Sequence, residues 1–203
     1  MRNTRTTVHS WVWIGTQATQ LTGEARRSPK PEPKPQPSIY VPWLNQYRQR
    51  FYHQCPHGEI LSSALSFFNQ DEGRDRLWSY GCRRPPSWLG PVTECFWEDY
   101  NRAGQQWSQR CSGNGIVAGV QSNYFEAVLD REWQFYCCKF RDTCPTSCWM
   151  TTDYPSYLTE EMEFYLDHGY YIHGAQSTFG PVKRDRQWKF ILCQMSAVAC
   201  VKP

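Results

Sequence analysis

Nothing in the 203 residues approaches 18 consecutive apolar side chains, so no segment is long enough to span a bilayer as a helix. The sequon Asn-x-Ser/Thr does not occur, which removes N-linked glycosylation. Gly-x-Ser-x-Gly, His-Glu-x-x-His and phosphate-loop signatures are all missing, and paired acids such as Glu160/Glu161 have no known separation that would make a glycosidase. These gaps argue against an enzyme. His168 and His173 flank Tyr170-Tyr171 without carboxylate or Cys partners at a standard metal spacing, so neither a metal nor a cofactor is expected. Sustained helical periodicity is lacking too: Glu94–Ala103 and Glu160–Leu166 are short helix candidates at most.

A one-sided charge is absent from the body of the chain. Residues 1–40 hold six Lys/Arg against two acids, whereas the rest holds sixteen against seventeen. The overall +3 therefore belongs to the lead, and nucleic-acid binding has no electrostatic support. That lead contains Pro29-Lys30-Pro31-Glu32-Pro33-Lys34-Pro35-Gln36-Pro37, whose alternating prolines favour an extended spacer over a packed element. The sequence divides into a disordered basic, Pro-rich lead (1–40) and one folded domain (41–203).

Ten cysteines in so short a chain point to a disulfide framework and an oxidising, extracellular compartment. Zinc is the weaker reading, because Cys144-x3-Cys148 has no second short pair or His-x3–5-His to complete a tetrahedral site. Secretion calls for a leader, yet the apolar run Trp11-Val12-Trp13-Ile14 falls short of the usual 7–15-residue core, so either the leader is atypical or the natural N-terminus differs.

The strongest internal signal is a pattern written three times. Asp75-Arg76-Leu77-Trp78-Ser79-Tyr80, Asp130-Arg131-Glu132-Trp133-Gln134-Phe135 and Asp185-Arg186-Gln187-Trp188-Lys189-Phe190 start 55 residues apart. Trp and the following aromatic stand at i and i+2, hence on one face of a strand, and Arg two residues earlier shares that face. The expectation is an all-β, disulfide-rich domain of three pseudo-equivalent units of about 55 residues, closed in a trefoil- or prism-like way with long loops. Repetition in every unit favours a scaffold role for Asp75, Arg76, Trp78, Asp130, Arg131, Trp133, Asp185, Arg186 and Trp188: aromatics as core, Arg stacked on Trp, Asp holding a turn or pairing with Arg. Cys55 to Cys82 and Cys111 to Cys138 each span 27 residues, and equal spacing in equivalent units marks these as bridges. Cys137 and Cys138 are adjacent, so on a strand they face opposite ways and take different partners.

The segments 130–138, Glu94-Cys95-Phe96-Trp97-Glu98, Asn101-Arg102-Ala103-Gly104 and 185–190 resemble the dermatopontin family of extracellular-matrix proteins, over about residues 43–200. The resemblance implies secretion and binding to dermatan sulfate proteoglycans such as decorin, with collagen, fibronectin, TGF-β and cell-surface receptors as further partners, self-association, and roles in collagen fibril organisation and cell adhesion. It also implies bridges Cys55–Cys82, Cys95–Cys137, Cys111–Cys138, Cys144–Cys200 and Cys148–Cys193. Invertebrate members include agglutinins, so a carbohydrate-binding lectin is the alternative. The family's acidic, tyrosine-rich opening is replaced here by the Pro-Lys segment, so tyrosine sulfation is not expected there. Where the family pattern has Arg before Gly-Ala, this chain has His173-Gly174-Ala175, which argues against integrin-type adhesion at that spot. Sulfated glycans need several cations on one face, and the candidates are Arg83 and Arg84, Lys139 and Arg141, and Lys183, Arg184, Arg186 and Lys189.

Overall fold

The computed structural model describes residues 41–197; the Pro-rich lead and Cys200 lie outside them. Three hairpins dominate. They are β2 (Ile60–Asn69) with β3 (Asp75–Arg83), β6 (Ile116–Phe125) with β7 (Asp130–Phe140), and β10 (Tyr171–Gly180) with β11 (Asp185–Ser196). Shorter strands fill the gaps: β1 (Phe51–Gln54), β4 (Val92–Trp97), β5 (Trp107–Arg110), β8 (Cys144–Met150) and β9 (Met162–Tyr165). The protein is all-β. The two segments read as short helices contribute to β4 and β9 instead, which pair with the hairpin strands β7 and β2; in β9, buried Met162 and Phe164 alternate with exposed Glu163 and Tyr165.

The strands form three separate antiparallel sheets, ordered β1-β6-β7-β4, β5-β10-β11-β8 and β3-β2-β9. Each hairpin borrows its edge from elsewhere in the chain: β1 pairs with β6, β5 with β10, and β9 with β2. The hairpins also share a register irregularity, between Leu61/Ser63, Val117/Gly119 and Ile172/Gly174. Two of these bulges need glycine. A Cβ at Gly174 would lie 2.1 Å from the Gln109 carbonyl oxygen, and one at Gly119 would lie 2.5 Å from that of His53, so the edge strand could not close in. This buried bulge also holds His173-Gly174-Ala175, which gives it no role as an exposed adhesion loop.

The core is where the hairpins meet. Trp78, Trp133 and Trp188 are each at most 3 % exposed and pack edge to face, with ring centroids 4.8, 4.7 and 5.8 Å apart. At roughly 200 Å² buried per indole, each contributes on the order of 5 kcal/mol of transfer free energy. Ile60, Val117, Ile172, Phe135 and Phe190 extend the cluster. The strand after each turn is tied down identically. Leu44, Asn101 and Tyr154 donate backbone N–H bonds to the carbonyls of Trp78, Trp133 and Trp188 at 2.8, 2.8 and 2.7 Å.

The disulfides follow the register. Cys55–Cys82 and Cys148–Cys193 are present. The expected Cys95–Cys137 and Cys111–Cys138 pairings are corrected to Cys95–Cys138 and Cys111–Cys137. Cys95 and Cys138 stand directly opposite in the β4–β7 ladder with Cα atoms 4.1 Å apart, which turns the neighbouring Cys137 to the other face. Counting residues misled because the first turn, 70–74, is one residue longer than 126–129. Cys82 and Cys137 hold the same register position, opposite Leu61 and Val117, although the closed segments differ by one residue. The Cys144–Cys200 expectation involves Cys200, outside the described residues.

This pairing is testable by thiol titration of double variants. Cys95→Ser with Cys138→Ser is expected to leave no free thiol, whereas Cys95→Ser with Cys137→Ser strands Cys138 and Cys111 and titrates two.

Candidate functional site

At the turn end of the hairpins the motif residues interlock across sheets. Arg76 grips Asp185 through Nε and Nη2 at 2.6 and 2.7 Å, Arg131 grips Asp75 at 2.7 and 2.6 Å, and Arg186 grips Asp130 at 2.8 and 2.5 Å. Each Arg thus holds the Asp of another hairpin, and the three contacts close a ring. Planar forks on carboxylates make these two-point bonds, which fix direction as well as distance. All six side chains are no more than 5 % exposed.

Charges this deep need their remaining valences filled, and they are. The backbone N–H groups of Arg48, Gly104 and Thr159 donate to Asp75, Asp130 and Asp185 at 2.7, 2.6 and 2.7 Å. Arg76, Arg131 and Arg186 each spend a further N–H on a carbonyl, of Glu160, Gln49 and Gln105. The ring is a structural clasp. Arg186 is therefore removed from the glycan-binding candidates: its guanidinium is sealed and committed. Arg also does not stack on the motif Trp as expected; Arg76 lies over Phe68 and Arg131 over Phe51 and Tyr124, while Arg186 lies over Phe179 and Trp107.

Above the ring lies a small recess, open to solvent, bounded by Arg74, Leu129, Arg184 and Tyr124. Arg74, Leu129 and Arg184 immediately precede the three motif aspartates, and each has a left-handed backbone, with φ of 49°, 52° and 58°. Arg74 was not among the sequence candidates, although the non-identical residue before each repeated Asp was a readable signal. Tyr124 is held by Arg48, whose guanidinium lies 5.5 Å from its ring centre. Burial raises the Tyr124 hydroxyl pKa, with Arg48 acting in the opposite direction.

The other candidates scatter. Lys183 is exposed, and Arg184, in the same turn, donates to the Val128 carbonyl at 3.1 Å. Arg83 is half-buried and caps the carbonyls of Leu166, Asp167 and Tyr170, an internal brace. Arg84 is 87 % exposed and pairs with Glu59 at 3.4 Å, and Arg141 is exposed. Lys139 pairs with Glu94 at 2.8 Å and lies over Phe96, and Lys189 stands 3.9 Å from Asp153. Arg83, Arg84, Lys139 and Arg141 sit at the far end of their strands from Lys183 and Arg184. At about 3.3 Å per residue, an eight-residue strand separates two ends by roughly 26 Å. The three clusters are not one patch.

Among the described residues the tightest set of metal-type ligands is His53, Cys55 and Cys82, and its two sulfurs are already joined in a disulfide. Burial holds the His53 and His173 imidazoles below the usual histidine pKa; at His173 the Gly115 carbonyl, 2.7 Å from Nδ1, opposes that shift.

Comparison with known proteins bears on this arrangement. The dermatopontin family model matches residues 45–197. Dermatopontin of Mus musculus is 55 % identical over 159 residues, covering 78 % of this chain and 79 % of the relative. The Homo sapiens protein is 54 % identical over the same coverage. The chain belongs to the dermatopontin family. A distant relative, the hemagglutinin/amebocyte aggregation factor of Limulus polyphemus, is 26 % identical over 163 residues, covering 75 % of this chain and 87 % of its own length. No solved structure matches. Dermatopontins are non-enzymatic proteins of the extracellular matrix, and no helix among the described residues is long and apolar enough to cross a membrane.

Two measurements probe this dermatopontin scaffold. Asp130→Ala leaves Arg186 buried without its partner and is expected to cost about 3–5 kcal/mol in urea unfolding, several times the effect of Asp153→Ala at the exposed Lys189 contact. Between about pH 7 and pH 5, His53 and His173 contribute to the pH dependence of stability. Their folded pKa values lie below the ordinary 6.5, so the unfolded chain binds protons first as pH falls. Stability from this source is complete above pH 6.5 and declines below it. Melting temperatures measured from pH 7 down to about pH 5 should fall less steeply in His173→Gln.

Proposed function

We propose that this dermatopontin-family chain is a secreted, non-catalytic adhesion protein. It binds sulfated glycosaminoglycan chains of proteoglycans, of the dermatan sulfate and decorin kind, and organises collagen fibrils and cell–matrix contacts. The observation that carries the reading is a division of labour among the basic residues. Arg76, Arg131 and Arg186 stiffen the scaffold from inside, while Arg74, Arg84, Arg141 and Lys183 stand exposed on it. A rigid body presenting outward guanidinium and ammonium groups loses little conformational freedom when a polyanion lies across it. Fibronectin, TGF-β, collagen and cell-surface receptors belong to this proposal as partners through the family.

Cations at both ends of the hairpins suit a chain-like ligand that contacts the protein at more than one place. Exposed aromatics supply apolar contact beside them, including Trp88 and Tyr157 at 53 and 72 % exposure. Self-association is part of the same proposal.

The alternative is a lectin, favoured by the kinship with the Limulus hemagglutinin. Retention of the oxidised protein on immobilised dermatan sulfate separates the two. Charge-driven binding is expected to be strong near 0.1 M salt and largely lost by about 0.5 M, because the screening length shrinks about twofold, to roughly 4–5 Å. Removing Arg84, Arg141 or Lys183 singly should weaken it about two- to fivefold, the worth of an exposed ionic contact. Release by free neutral monosaccharide and indifference to salt would overturn the proposal in favour of the lectin.

A further inference from the structure

We infer that the pocket above the Arg–Asp ring is a discrete binding site for one oxyanion-bearing sugar residue, a sulfate ester or a uronate, clamped between Arg74 and Arg184. This rests on the glycosaminoglycan reading and gives that reading a location.

The first argument comes from the three positions that precede the motif aspartates. They are equivalent in register, all adopt positive φ, and all line the pocket. A left-handed backbone favours Gly, Asn or Asp, and nothing in the turn itself calls for a long cation. Two of the three are nonetheless Arg, and the third, Leu129, supplies an apolar wall.

The second argument is electrostatic. The three buried arginines and three buried aspartates beneath the pocket cancel, and every aspartate is saturated by a two-point Arg contact and a backbone N–H. The charges left uncancelled on the lining are Arg74 and Arg184. Arg74 has no hydrogen-bond or ionic partner among the described residues, and Arg184 commits one side-chain nitrogen, to the Val128 carbonyl. Glu126, in the turn before Leu129, is engaged by Arg48 at 3.3 Å. The field at the mouth is positive.

The third argument is an unfilled polar group. Tyr124 lines this pocket, and its hydroxyl is shielded from solvent and has no partner among the described residues. A buried hydroxyl left unpaired costs free energy, and an oxyanion accepts the bond it has to offer. Its proton is firmly held, since burial raises its pKa, so it acts as a donor at neutral pH. Two guanidinium groups, one hydroxyl and one apolar side chain around a small, solvent-open recess suit the oxyanion of one sugar residue, with the ring itself left outside. The oxyanion then comes from a terminal residue or a projecting substituent.

The test uses the full oxidised chain and a monosulfated uronate–hexosamine disaccharide, followed by calorimetric titration and by retention on polymeric dermatan sulfate. Saturable one-to-one binding of the disaccharide is expected. Combining Arg74→Ala with Arg184→Ala should weaken it at least tenfold, and Tyr124→Phe severalfold. Leu129→Arg, which adds a third cation at the equivalent position, should tighten it severalfold. Melting temperature of each variant verifies the fold. If the desulfated disaccharide binds equally, the uronate carboxylate is the clamped group and the site stands. If the unaltered protein fails to bind the disaccharide while retention on the polymer persists, the pocket inference is overturned and the glycosaminoglycan reading survives. Loss of both overturns the two together. A folded double variant that binds the disaccharide as tightly as the unaltered protein also overturns the pocket.

Discussion

The buried ring of arginine forks on aspartates is the constraint that organises this molecule. Three sheets share no hydrogen-bonded edge with one another, so their mutual placement depends on side chains. The tryptophans supply most of the attraction, but edge-to-face packing of similar rings tolerates small rotations. A two-point Arg–carboxylate bond does not. By linking each hairpin to another in a closed cycle, the ring makes the angle between sheets a matter of geometry as well as of burial. Buried ion pairs are weak contributors to net stability, because desolvation offsets attraction. Their value here lies in specifying one arrangement among several that would bury the same tryptophans.

Disulfides reinforce that arrangement in two styles. Cys55–Cys82 and Cys111–Cys137 fasten the chain ahead of a hairpin to its return strand, at the end away from the ring. Cys95–Cys138 and Cys148–Cys193 staple the outer strands β4 and β8 to their hairpins. The first hairpin has no such outer strand among the described residues, and at the matching position stands Arg83, bracing three carbonyls instead. The third has Leu166 and Leu192 where the first two have their bridge, both buried in the same apolar core. Scaffold positions thus change chemistry without changing role. The positions before the motif aspartates, exposed Arg74 and half-buried Leu129 and Arg184, vary more freely in chemistry around the recess they share.

Much of this was legible before any coordinates. Alternating Trp and aromatic residues marked the return strands, and repetition assigned the Asp-Arg-x-Trp motif to structure. Burial of all six charged motif residues agrees with that assignment. The errors have distinct causes. Reading Arg186 as a surface cation treated neighbours Lys183, Arg184 and Lys189 as one cluster, but on a strand next to a turn successive side chains leave in different directions. Equal counting between cysteines failed because a turn one residue longer shifts sequence spacing while leaving ladder register untouched. Glu94–Ala103 looked locally helical, yet strand pairing with β7 decided its state.

By itself the sequence determined the strand content, the residues that would fill the core and the oxidised state of the cysteines. These follow from local alternation, composition and redox chemistry, which need no knowledge of neighbours. Which Asp each Arg would seize, which of two adjacent cysteines would face which partner, and which scattered cations would border one pocket were decided by tertiary structure alone. Those choices depend on registers and turn lengths that bring together residues 26 or more positions apart, and no local pattern records the outcome.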